Sequence, residues 1–151
     1  MNKERYGYIS DASGMDFEFF SEGPKGKIKK VVAFTPQNIK IVGRIVYNLG
    51  FGDLNPNTGD IDDLSVSNNN DRDKVLATVA ALTWEFTFHH PYAFVHARGS
   101  TISRTRLYQI AISANLNELK KVFYIYGFKD DEWSEFEKNV NYVAFIALRR
   151  L

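Results

Sequence analysis

The segment NNNDRDKVLATVAALTWEFTFHHP, residues 68–91, constrains the fold more than any other stretch of the chain. Val75, Val79, Leu82 and Phe86 fall at helical spacing, and Ala77, Ala81, Trp84 and Phe88 form a second apolar row. A helix apolar on so much of its circumference cannot stand on a surface; it needs a sheet beneath it. An Asn at the N-cap with Asp71 and Asp73 in the first turn meets the orphan N–H groups and the positive helix end, while HHP marks the other end. The segment therefore predicts the main core helix of a layered domain.

Strands are expected on both sides of it. Phe17 and Phe19 alternate with Asp16 and Glu18 before SEGPKG turns the chain. KIKKVVAFTP reads as a second strand ended by Pro36, and IKIVGRIVYNLGFGDL as a longer third. NPNTGD invites a hairpin into a fourth strand, DIDDLSVS. After the helix, YAFVHA reads as a strand, STISRTRLYQIAISANL as a second helix, and VFYIYGF and VNYVAFIAL as two more strands. The expectation is an α+β fold: an antiparallel sheet with two helices in the order β-β-β-β-α-β-α-β-β. Residues 1–14 read as a polar N-terminal segment, loosely attached, and residues 15–151 as one domain.

Several function classes drop out on composition. Without cysteine there is no disulfide, thiolate metal site or cysteine nucleophile. Nineteen basic against eighteen acidic residues give a net charge of +1, so no global field draws the chain to nucleic acid, though a local patch can. No stretch approaches the ~18 apolar residues of a membrane span, and MNKERYGYISD has no apolar leader core, so no membrane and a cytoplasmic location are expected. No P-loop, G-x-S-x-G or dinucleotide fingerprint occurs. His89, His90 and His96 have no zinc-site spacing, and the aromatic residues form no RNA-stacking motif, so core roles are expected for most of them.

Two polar constellations carry chemistry. In RGSTISRTR, a helix start capped by Ser100 or Thr101 presents free N–H groups, and Gly99 permits close approach of another group. Leu107, Ile110 and Ala114 mark the expected core stripe of this helix, while Thr101, Arg104 and Tyr108 share one flank. Arg98, Gly99, Ser100, Thr101, Arg104 and Tyr108 are thus anion-binding candidates, with Arg104 better placed than Arg106. The alternative is ordinary capping, with the arginines paired to acids inside the fold.

The second constellation is acidic. Closing the hairpin through PNTG sets Leu54 opposite Ile61 and Asp53 opposite Asp62. Facing carboxylates need a positive charge between them. An arginine such as Arg104 or Arg106 is one answer; Mg²⁺ held by Asp53, Asp60 and Asp62 is the other, with no cofactor the first expectation. Lys25, Lys27, Lys29 and Lys30 are nucleic-acid candidates, or else the solvated charges of an edge strand.

SEGPKGKIKKVVAFTP, YNLGFGDLNPNTGDIDDL, NNNDRDKVLATVAA and above all GSTISRTRLYQIAI resemble the signature segments of an uncharacterised family of small single-domain bacterial proteins. The likeness spans nearly the whole chain and implies no activity, because the family has no established site. The residues themselves suggest a binding or interaction protein that recognises an anionic partner: nucleic acid, a phosphate-bearing ligand or an acidic protein. A metal-dependent nuclease or phosphotransfer enzyme, as part of a toxin-antitoxin or phage-defence module, is the alternative.

Overall fold

A computed structural model describes residues 4–54, 69–151 and the backbone of 61–62. The chain runs β1 (Ile9–Ser10), β2 (Asp16–Gly23), β3 (Gly26–Ile41), β4 (Arg44–Leu54), β5 (Ile61–Asp62), α1 (Arg72–His89), β6 (Phe94–Ala97), α2 (Ile102–Ala114), α3 (Leu116–Val122), β7 (Phe123–Lys129), β8 (Glu132–Glu135) and β9 (Ala144–Arg149). The strands form one sheet in the order β1-β2-β3-β4-β6-β9-β7-β8, with β5 added beside the end of β4. Every pairing is antiparallel except β4 with β6, which α1 connects as a crossover.

Mixed α+β architecture on a mostly antiparallel sheet agrees with the sequence pattern. The element order differs in detail: there are three helices, and β1 and β8 add to the expected strands. Pro36 does not end its strand. β3 continues past it to Ile41, with an irregularity where β3 advances from Pro36 to Lys40 while β4 moves only from Tyr47 to Ile45. A proline lacks the ladder N–H, and an irregularity is where a strand tolerates that loss. The expected long third strand is in turn broken at Val42 and Gly43, both at positive φ (45° and 77°), a two-residue turn that matches strand twist. Valine hides such a turn because its propensity is for strands.

The core lies on one face of the sheet. Phe17 and Phe19 of β2, Val32 and Phe34 of β3, and Leu49 and Phe51 of β4 meet Val75, Val79, Leu82 and Phe86 of α1, all buried. Phe34 stacks on Phe86 at 4.2 Å with ring planes 2° apart, an arrangement worth ~1 kcal/mol beyond the area it buries. Of the second apolar row of α1, Ala77 and Ala81 are buried, whereas Trp84 and Phe88 are exposed. A second cluster joins Leu116, Phe123, Ile125, Phe136, Tyr142 and Phe145 beneath α2 and α3.

Part of the N-terminal segment is tied to this body. Tyr6 N–H donates to Thr78 Oγ1 (2.9 Å), Tyr8 Oη donates to Glu85 (2.8 Å), and Tyr6 stacks on Phe19. The ordering comes from two tyrosines spaced by one residue, which a count of apolar residues overlooks.

Candidate anion site

Along the covered face of the sheet, the register sets Phe19, Lys30 and Asp53 side by side on β2, β3 and β4, and the backbone of Asp62 in β5 pairs opposite Asp53. Leu54 opposite Ile61 and Asp53 opposite Asp62 is the expected pairing. Asp60 lies outside the described residues, as does the NPNTGD turn itself, and the described part of Asp62 is its backbone. The cation at Asp53 is not an arginine. Lys30 Nζ bonds Asp53 Oδ1, with the lysine only 5% exposed. Lys30 belongs to the core side because alternation along β3 puts it in line with Val32 and Phe34. That burial removes Lys30 from the nucleic-acid candidates. Lys29, on the other side, pairs with Glu18 at 3.0 Å and Lys27 with Glu22 at 3.6 Å, while Lys25 lies in the β2–β3 turn, its N–H donating to Asn69 Oδ1 at 2.7 Å.

Helix α2 turns a different face inward from the one expected. Arg104, Thr105 and Gln109 are its buried residues, and Ile110 is 40% exposed. Polar partners reward this choice: Thr105 Oγ1 accepts from Gly99 N–H (3.1 Å), and Gln109 bonds Val140 O (2.6 Å) and Tyr142 N–H (3.0 Å). A hydrophobic count misses them because each partner lies in a connecting segment or on a strand far along the chain. Thr101 is the N-cap, its hydroxyl accepting from Arg104 N–H at 3.2 Å. Gly99 does permit a close approach, but of α2 itself: a Cβ there would overlap Arg104 Cβ and the Thr105 nitrogen. Arg98 and Ser100 are exposed, and Tyr108 packs half-buried against the apolar clusters. Arg106 reaches Gln109 at 3.5 Å.

Arg104 points the other way, across to the sheet. Its guanidinium donates to Phe51 O at 3.3 Å and lies over the Phe51 ring, 5.3 Å from the centroid. There it lines an open cleft of about 830 Å³ together with Lys30, Phe51, Asn69, Leu107 and the first turn of α1, Asp71 to Val75. Among the six anion-binding candidates, Arg104 is the one that reaches it.

The opposite wall was not legible as a site. Asp71 is the N-cap of α1, yet its carboxylate makes no capping bond. It accepts instead from Tyr6 Oη (2.6 Å) and Ser21 Oγ (2.5 Å), and Asn69, 1% exposed, donates to Ser21 Oγ (3.1 Å) and Gly26 O (2.8 Å). Burial, together with the bond to Asp71, pushes the Tyr6 phenol above its usual range, so it remains a neutral donor.

Charges around the cleft pair off: Lys30 with Asp53, Lys74 with Glu4 at 3.3 Å, and Arg72 with Asp73 at 3.9 Å. Asp71 is satisfied by two hydroxyls. Arg104, 9% exposed, is left with one carbonyl and one ring, and no carboxylate among the described residues forms an ion pair with it.

Fold and site together define a mixed α+β domain with a polar cleft between the first turn of its long helix and a buried arginine. The chain belongs to a family of unknown function, DUF6934, whose model matches residues 2–150. No curated protein and no solved structure matches it.

Proposed function

We propose that the protein is a binding protein for a phosphate-bearing or similarly anionic ligand, held in the cleft between α1 and Arg104. The observation that carries this reading is the state of Arg104. A buried guanidinium has five N–H donors in a planar fork and a large desolvation cost, and among the described residues one neutral carbonyl and one aromatic ring face it. An anion in the cleft supplies the charged partner that no described residue provides. First-turn N–H groups of α1, left without a side-chain cap, offer donors at the positive end of the helix dipole from the facing wall.

Arg104 and the α1 first turn contribute binding and orientation. Leu107, Val75 and the Phe51 ring add apolar surface, which suits an organic anion better than a bare ion. On this reading the ligand sits at the start of the first helix rather than the second, with Arg104 as the shared element. Of the anionic partners expected from the sequence, a phosphate-bearing small molecule fits a concave site best. For the metal-dependent alternative, Lys30 already sets a positive charge at Asp53, which weakens the need for a cation there.

Calorimetric titration with inorganic phosphate, nucleoside monophosphates and nucleoside triphosphates tests the reading. Wild type binds at least one of these, and Arg104→Met weakens that binding tenfold or more while Arg106→Met leaves it within twofold. Equal affinity in all three proteins contradicts the proposal.

A further inference from the structure

The helices cover one face of the sheet, and the other face of its β4-β6-β9-β7-β8 half is left open by every described helix. Register places Asn48, His96, Ile146, Tyr126 and Glu135 in one row across the five strands of this face. Neighbouring rows add Tyr124 beside Leu148, and Phe128 beside Trp133. Apolar residues between the strands are already buried: Val46, Phe94 and Ile146 are 6–8% exposed and form their own cluster. The rings around them are not, with Tyr124 43%, Tyr126 36% and Trp133 41% exposed. Trp133 leans toward His96, the ring centroids 6.2 Å apart.

Cations flank these rings. Arg150 stacks its guanidinium on Tyr124, 4.0 Å from the centroid. Arg98 lies just past the end of β6, is exposed, and is close enough for its charge to act on His96. Against them the same rows carry one carboxylate, Glu135. A surface meant for another apolar protein face would present its aliphatic residues; here they are sunk and flat aromatic faces with arginines stand above them. Planar, sequence-tolerant stacking partners that also carry negative charge are the unpaired bases of a nucleic-acid strand with their phosphates.

We infer that this open sheet face is a binding platform for single-stranded nucleic acid, on which Tyr126 and Trp133 stack bases and Arg98 and Arg150 meet phosphates. The platform is separate from the anion cleft, which lies on the helix-covered side. It draws residues from β7, β8, β6 and the chain end, so no contiguous stacking motif announces it in the sequence.

Fluorescence anisotropy with labelled ten-nucleotide oligo-U and oligo-dT at low salt tests the inference. Wild type binds; Tyr126→Ala and Trp133→Ala each weaken binding on the order of tenfold, while Tyr126→Phe, which keeps the ring, stays within about twofold. Trp133→Leu keeps apolar area without the ring and behaves as Trp133→Ala, a check independent of the larger truncation. Arg98→Ala lowers the slope of log affinity against log salt by about 0.7. Arg104→Met leaves oligonucleotide binding unchanged. The inference is overturned if no oligonucleotide binds, if the Tyr126→Ala/Trp133→Ala protein binds as wild type does, or if Arg104→Met abolishes binding that the double variant retains. It is also overturned if sedimentation shows a wild-type dimer that the double variant dissociates, because the face then belongs to a second copy.

Discussion

Lys30 and Asp53 face each other across β3 and β4 on the helix-covered side of the sheet, the ammonium bonded to the carboxylate. Removing one side of a buried ion pair costs about 3–5 kcal/mol when burial is complete. The Asp53 side chain keeps 15% of its exposure, so the lower part of that range applies. Asp53→Ala and Lys30→Ala are expected to lower the free energy of urea unfolding by ~3 kcal/mol each. A double-mutant cycle gives a coupling well above 1 kcal/mol, and strictly additive losses would show that the two side chains act separately.

Gly99 is expected to be intolerant of the smallest change. A Cβ at this position meets backbone and Cβ atoms of α2, not the movable end of a side chain. Gly99→Ala should cost ~2–3 kcal/mol by forcing the helix away from the β6–α2 connection. A melting temperature equal to that of wild type would mean that α2 moves freely there.

His96 predicts the direction of acid sensitivity. Burial, with a smaller contribution from the Arg98 charge, holds its imidazole below the ordinary 6.5. The unfolded chain therefore takes up this proton before the folded one does. Stability contributed by the neutral imidazole is complete above 6.5 and declines as pH falls from 6.5 through the folded value. Asn48 Oδ1, 3.3 Å from Nδ1, the Trp133 ring and Ile146 surround it, and none of them is an acid that would reverse the sign. His96→Gln should flatten the pH dependence of unfolding free energy just below neutrality. A steeper dependence in the variant contradicts this assignment.

Much of the layered fold is visible in the residues themselves. Val75, Val79, Leu82 and Phe86 repeat at helical spacing and all four are buried; Asp53 opposite Asp62 follows from strand alternation and a short loop. What escapes is decided by polar partners distant in sequence. Arg104 occupies the inner face of α2, displacing Ile110 outward, because Phe51 supplies a carbonyl and a ring fifty-three residues earlier. Asp71 gives up helix capping for hydroxyls on Tyr6 and Ser21. Periodicity reports which face is apolar and has no means of pairing one buried donor with one remote acceptor.

Tyr6 anchors the N-terminal segment through the same carboxylate. Tyr6→Phe keeps the ring stacked on Phe19 and removes the donor to Asp71, so it should cost ~1 kcal/mol or slightly more. Amide exchange in residues 6–10 should quicken with it. Unchanged exchange would assign the anchoring to ring packing alone.

Thermal unfolding of wild type and Arg104→Met, with and without a nucleoside phosphate, tests the anion cleft most directly. A residue kept for a ligand is costly when the ligand is absent. Without ligand, Arg104→Met should be as stable as wild type or more stable, by up to ~1 kcal/mol, because a buried cation with no ion pair among the described residues is replaced by a chain of similar shape. With ligand at one hundred times its dissociation constant, wild type should gain about 2.7 kcal/mol and the variant almost nothing. A variant several kcal/mol less stable than wild type in the absence of ligand, and stabilised equally by it, would contradict the account and make Arg104 a structural residue.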